Sequence, residues 1–194
     1  MQSQLATRAL VSRPDASYDE VMLQHVLVAL RLAAADPTLD VLAAYQHAEA
    51  AVAASTERVT PELLLAIAYA ESKFDPSVVS RVEGAQRRVG CWKSQEAPKR
   101  WRKGTSLFCG PLQTQARTWD ACLAQRELDA AYRTGAREIE EWLDEEHVHG
   151  NLSRALAGFG CGTEGAKSGS CSNAFQARVI AHARKIETGQ ALRI

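Results

Sequence analysis

The chain has no hydrophobic run long enough to cross a membrane. Its longest strongly apolar stretch, Leu63 to Ala70, falls far short of the roughly 18–20 residues that a spanning helix needs, so no membrane insertion is expected. Net charge is missing as well. The 23 Lys and Arg residues balance 23 Asp and Glu residues, and no global field draws the protein to nucleic acid or to an anionic surface. The five cysteines, Cys91, Cys109, Cys122, Cys161 and Cys171, show neither a CxxC nor a Cys/His spacing, which argues against a zinc site. His147 and His149 stand near one another without further clustered ligands, so neither a metal nor another cofactor is expected. The first residues, Met1 to Arg8, lack a basic start followed by an apolar core, so no export signal is read there. No alternating apolar/polar run is long enough to mark a confident strand, and there is no internal repeat.

What is present is helical. At 194 residues, with 46% hydrophobic and 24% charged residues, the composition is that of a folded, soluble domain of ordinary size. From Tyr18 to Ala35 the apolar residues Val21, Met22, Val26, Ala29, Leu30 and Ala33 recur at helical spacing, and Asp36-Pro37 closes the run. A second helix is expected from Leu39 to Ala54. Thr60-Pro61-Glu62 is a helix start, with a hydroxyl at the cap, proline at the first helical position and an acid near the positive end of the dipole. The following run, Leu63-Leu-Leu-Ala-Ile-Ala-Tyr-Ala70, is apolar on every side and should be buried on every side. Asp75-Pro76 is expected to stop it, because a residue before proline is pushed out of the helical region.

Residues 81–110 lose helical periodicity and contain Gly84, Gly90, Pro98, Gly104 and Gly110, which reads as a long irregular loop. Helices are expected again over Gln113–Ala130, over Arg137–Glu146, from Leu152 into Phe159, and over Asn173–Glu187, with a glycine-rich break from Gly158 to Gly169 before the last. The acidic run Glu138, Glu140, Glu141, Asp144, Glu145 and Glu146 reads as a solvated helix face.

One residue stands apart. Glu71 ends the all-apolar helix and shares a face with Leu64, Ile67 and Ala68. A carboxyl in such surroundings is desolvated, which raises its pKa and suits it to general acid catalysis. Position alone leaves a bland alternative open, a glutamate at a helix end reaching water or an arginine.

The stretch Thr60 to Ser80, with Glu71-Ser72 at the end of an alanine-rich helix, resembles the soluble lytic transglycosylases. Gly110-Pro111-Leu112-Gln113 is similar to that family's Gly-Leu-Met-Gln segment, and Leu156-Ala157-Gly158-Phe159-Gly160-Cys161-Gly162 to its Leu-Ala-Ala-Tyr-Asn-Ala-Gly. Ala136 to Leu143, after Gly135, and Phe175 to Ile180 match more weakly. The resemblance runs from about Leu39 to Glu187. It implies a lysozyme-like, mainly α (α-rich α+β) single domain over 39–194 behind an N-terminal helical extension over 1–38. It also implies cleavage of the β-1,4 bond between N-acetylmuramic acid and N-acetylglucosamine in peptidoglycan glycan strands. In that family one glutamate, here Glu71, is acid toward the glycosidic oxygen and then base toward the muramoyl 6-hydroxyl, leaving a 1,6-anhydro end. Ser72, Ser80, Gln113, Phe159 and Phe175 are the positions implied to bind the substrate, Gln113 toward an N-acetyl group or toward Glu71. A hydrolytic variant would need a second carboxylate, for which Asp75, Glu83, Glu96 and Asp120 are candidates.

Two departures qualify the resemblance. The family's Tyr-Asn pair is Phe159-Gly160 here and the last helix carries Phe175, so two hydroxyls and an amide are absent. An insertion of residues 86–109 also separates Gly84-Ala85 from Gly110. From Arg81 to Lys103 it carries Arg81, Arg87, Arg88, Lys93, Lys99, Arg100, Arg102 and Lys103 against Glu83 and Glu96, interleaved with Trp92 and Trp101. Such a loop suits a lobe of the glycan groove, with Trp92 and Trp101 under the sugar rings. Nucleic acid is the lesser alternative. A Cys91–Cys109 bridge would restrain this loop by roughly 3 kcal/mol. Cys161 and Cys171 would staple the glycine-rich stretch, and Cys122 reads as a buried free thiol.

A cell-wall enzyme without a visible export signal fits a phage protein, carried in the virion or released at lysis and acting in the periplasm, with other virion proteins as possible neighbours. Two other readings are an inactive peptidoglycan-binding structural protein on the same scaffold, in a virion or a secretion apparatus, and a muramidase that uses water.

Overall fold

The computed structural model describes residues 18–83, 86–91 and 107–192. It opens with a helical hairpin, α1 (Tyr18–Ala35) and α2 (Val41–Ala54). Asp36 holds the connection, its Oδ1 accepting from the Thr38 N–H at 3.1 Å and the Thr38 hydroxyl at 2.6 Å. Asp40 caps α2 by accepting from the Ala43 N–H at 2.9 Å. The buried side of α1 differs from the face that periodicity suggested. Val28, Ala29, Leu32 and Ala35 are buried, whereas Val21, Val26 and Leu30 from the expected stripe lie exposed. The helix is apolar on two faces, and periodicity alone does not say which one packs.

The helix α3 (Pro61–Ser72) starts as its sequence dictates, with Pro61 first and the Thr60 hydroxyl accepting from the Leu63 N–H at 3.3 Å. Leu63 through Ala68 are all buried. They are enclosed by α2, by α5 (Leu128–Asp144) and by α7 (Phe175–Glu187). Its end is set by Lys73 and Phe74, before Asp75-Pro76 is reached. Both residues take left-handed backbone, with φ of 57° and 66°. Their N–H groups return to Tyr69 O and Ala68 O at 3.2 and 3.3 Å. Left-handed backbone costs an L-residue about 1–2 kcal/mol. Burial of the Phe74 ring against His47 and Tyr69, at centroid distances of 5.0 and 5.9 Å, offsets that cost.

The region read as one irregular loop contains most of a sheet. Strands β1 (Val78–Glu83), β2 (Gln86–Cys91), β3 (Leu107–Cys109) and β4 (Thr114–Ala116) pair antiparallel in the order β2-β1-β3-β4. Two of these strands have only three residues, and β2 is polar, so no alternation was there to detect. Residues 92–106 of the basic insertion, including Trp92 and Trp101, lie outside the described residues.

The register explains why the expected Cys91–Cys109 bridge does not form. Cys91 on β2 pairs with Val78 of β1, and Cys109 on β3 pairs with Val79 of β1. The two cysteines are therefore two strand spacings apart, about 9–10 Å, beyond the roughly 7 Å a disulfide spans between Cα atoms. Cys109 instead bonds to Cys122, which is thus no free thiol, on the short helix α4 (Trp119–Ala124). Val79, Leu107, Ala116 and Trp119 close a small second core around that bridge.

The helix expected over 113–130 is replaced by β4, α4 and the start of α5. The glycine-rich stretch is helical as part of α6 (Leu152–Ser168), broken only at Gly162, where φ is 72° and ψ is −164°. Its other glycines serve packing. A Cβ at Gly158 would meet the Trp142 ring at 2.6 Å, and one at Gly165 the Ala157 carbonyl oxygen at 2.4 Å. Cys161 and Cys171 are bonded, as expected, and hold the broken helix to the turn before α7.

His47 on α2 is buried, its Nδ1 2.9 Å from the Tyr132 hydroxyl. Burial pushes its pKa down to about 4. The folded state therefore binds fewer protons than the unfolded chain between about pH 6.5 and 4, and stability falls as pH drops through that window. Urea unfolding at pH 7 and pH 4 is expected to show a loss of up to about 3 kcal/mol from this group. His47→Gln should flatten that limb.

Candidate functional site

Glu71 lies in the last turn of α3, half-buried, where the surrounded part of the helix gives way to surface. The carboxyl thus sits at the edge of the core. Its neighbour Ser72 places its hydroxyl 3.0 Å from Ala68 O and 2.9 Å from Pro111 O. That second bond ties the end of α3 to the segment Gly110–Gln115.

The segment is fixed at several points. Gly110 donates its N–H to Val78 O at 3.1 Å, and its φ of +72° demands glycine. A Cβ there would lie 2.0 Å from the Gln125 carbonyl oxygen. Leu112 is buried against α5, where a Cβ at Gly135 would meet its Cδ2 at 2.4 Å. Gln113 is buried, with Nε2 donating to Val78 O at 2.8 Å and Gly110 O at 2.9 Å. Its Oε1 accepts from the Ser80 hydroxyl. The side chains of Ser80 and Gln113 are thus engaged with each other and with backbone, locking the turn against β1. The hydroxyl of Ser72 is likewise directed at backbone.

At the other end of the segment a carboxyl that sequence reasoning passed over comes into play. The Gln115 N–H is donated to the carboxylate of Glu138 on α5. Glu138 follows Gly135 by three residues and so shares the face that touches Leu112. It is half-buried, and burial pushes its pKa up to about 7. The Gln115 N–H works against that rise, nearby Glu141 adds to it and Arg137 opposes it. The rest of the acidic run is spent differently. Asp144 bonds to Arg58 at 2.8 Å, Glu140 also pairs with Arg58, and the exposed Glu141 meets Arg137 at 3.6 Å. Only the spacing from Gly135 distinguished Glu138 from these neighbours.

Of the acids proposed as a second carboxylate, two are described with their side chains, Asp75 and Asp120. Asp75 Oδ1 accepts from the Ser77 N–H and hydroxyl at 2.8 and 2.7 Å, shaping the entry to β1. Asp120 is exposed in the first turn of α4. Glu96 lies outside the described residues, and of Glu83 only the backbone, on β1, is described.

Phe159 and Phe175 stack, with centroids 6.4 Å apart and planes 16° from parallel. Phe175 is buried and Phe159 half-buried. A Cβ at Gly160 would meet the Phe175 ring at 2.5 Å. The glycine is therefore coupled to the phenylalanine, since the ring fills the room that a side chain at 160 would take.

With this geometry in place, the chain can be compared with known proteins. Residues 48–101 match the family described as Transglycosylase SLT domain. The match covers the second half of α2, α3 with Glu71-Ser72, and β1 with β2, which is less than a third of the chain. No curated protein and no solved structure matches the chain. The described part is mainly helical, which is consistent with an α-rich SLT domain. At the level of the family, the SLT match implies peptidoglycan as substrate and transglycosylase-type cleavage. Among the described residues no helix is long and apolar enough to cross a membrane.

Glu138 yields a test of its own. With its folded pKa raised from 4.5 to about 7, the native state binds more protons than the unfolded chain between those values. Its contribution is full at low pH and is lost as pH rises through that window. Relative to Glu138→Gln, the wild type should lose up to about 3 kcal/mol of stability between pH 5 and 7.5. Denaturant unfolding of both proteins across that range measures the difference.

Proposed function

We propose that the protein is a peptidoglycan lytic transglycosylase in which Glu71 is the catalytic acid and base. The observation that carries this is the tie at the end of α3. Glu71 sits beside Ser72, whose hydroxyl reaches Pro111 O at 2.9 Å, so the acid and the segment similar to the family's Gly-Leu-Met-Gln form one rigid corner. In the reaction, the protonated Glu71 carboxyl gives its proton to the glycosidic oxygen. The bond from that oxygen to muramoyl C1 breaks, and the N-acetylglucosamine side leaves as a 4-hydroxyl. The Glu71 carboxylate then takes the proton of the muramoyl 6-hydroxyl as its oxygen bonds to C1. Water is not consumed, and the glutamate ends as it began.

Phe159 at the edge of its stack with Phe175 offers an apolar face for a sugar ring. Ser72, Ser80 and Gln113 support the corner from behind. Two disulfides among the described residues favour an oxidising place of action, in keeping with the periplasm or cell wall, reached as part of a phage particle or at lysis.

A second reading has one observation in its favour. Glu138 is a half-buried carboxyl bonded to the 110–115 segment that Ser72 also meets, and a muramidase needs a second carboxyl to activate water.

Digestion of purified peptidoglycan by wild type and by Glu71→Gln, with products read by mass spectrometry, decides among these. Anhydro-muramoyl ends are expected from the wild type, with a loss of at least about 1000-fold in the variant. Reducing ends dependent on both Glu71 and Glu138 would establish the hydrolase instead. Binding without release by the wild type would establish an inactive scaffold.

A further inference from the structure

The exposed large hydrophobic side chains of the described residues all fall on one corner, α1 and the start of α2. On α1, Leu23, Val26, Leu27 and Leu30 are exposed by 68, 41, 44 and 62%. They follow one another by three or four residues and make a seam opposite the buried face of Val28, Leu32 and Ala35. At the start of α2, which follows the end of α1 across a short turn, Val41 and Leu42 are exposed by 75 and 66%. Together these side chains present on the order of 600 Å² of apolar surface. That is at the upper end of what the largest patch of a monomer spans, about 300–600 Å², and approaches the roughly 800 Å² per partner of a standard interface.

We propose that this seam is the interface of a homodimer in which α1 of one copy packs antiparallel against α1 of a second. Three features point to a second copy. The spacing of Leu23, Val26 and Leu30 is that of a helix-pairing seam. A two-fold axis between Val26 and Leu27 brings Leu23 of each copy onto Leu30 of the other, so the patch complements itself as a two-fold interface requires. The flanking charges also agree with an antiparallel arrangement. Glu20 and Arg31 lie on the same flank of the seam, toward opposite ends, and antiparallel packing sets the Glu20 of one copy near the Arg31 of the other. Within its own chain Arg31 also meets Glu62, at 3.7 Å.

A membrane surface is the poorer occupant. Interfacial helices carry lysines and arginines along their polar face, whereas α1 has one arginine, against Asp19 and Glu20.

Sedimentation of the whole protein across about 1–100 μM tests this, alongside Leu23→Glu/Leu30→Glu. Both side chains are already in solvent, so the variant should fold, which its circular dichroism and melting would verify. A wild-type dimer that becomes monomeric in the folded variant is the expected result. Leu27→Cys, one residue from the axis, should oxidise to a covalent dimer, while Leu42→Cys should not. A wild type that is monomeric throughout overturns the proposal. So does a dimer that survives in the variant, or a monomer that co-sediments with anionic vesicles through the same leucines.

Discussion

A helix with no polar side from Leu63 to Ala68 has to be surrounded, and what surrounds it places the carboxylate at its end. α2, α5 and α7 close around α3, and the chain can leave only through the left-handed pair Lys73 and Phe74. Phe74 turns back into the core against His47 and Tyr69, which fixes the direction in which the chain departs. The bond from Ser72 to Pro111 O closes the circuit by returning the start of the 110–115 segment to the end of the same helix. Glu71 is thus held between a buried helix and a locked turn.

Much of this was legible in the sequence. The Thr60 cap, Pro61 and the unbroken apolar run dictated α3, and they singled out Glu71. What escaped reading escaped for physical reasons. Strands of three residues carry no period, and β2 is polar because its fold is specified by pairing with β1. α1 is apolar on two faces, so its buried side depended on which face α2 and α7 met. The glycines of α6 looked like a break because their number suggested chain entropy. Gly158 and Gly165 instead permit contacts with Trp142 and Ala157 that a Cβ would forbid, and only Gly162 bends the helix.

Polar residues showed the same limit. Gln113 and Ser80 are of the type that binds sugars, but their hydrogen bonds are made inside the turn, to each other and to Val78 and Gly110. Glu138 looked like one of six solvated acids and proved to be half-buried against the 110–115 segment, because Gly135 one turn earlier lets Leu112 and that segment come close to α5. In both cases the deciding factor was what the backbone of a distant segment offered, information that residue type does not contain.

The corner that carries the site also has the least apolar support. Beneath the sheet lie Val79, Leu107, Cys109, Ala116, Trp119 and Cys122, a cluster separate from the main core. So few side chains cannot by burial alone hold four short strands against α4. The Cys109–Cys122 bond, across a sequence separation of 13, supplies on the order of 3 kcal/mol by closing a loop in the unfolded chain. It spans the 110–115 segment, joining the strand before it to the helix after it. Reduction would therefore loosen the turn that Gln113 and Ser80 lock before it loosened the burial of α3. In this fold the disulfide bond and the Ser72 hydroxyl constrain the same segment from two sides.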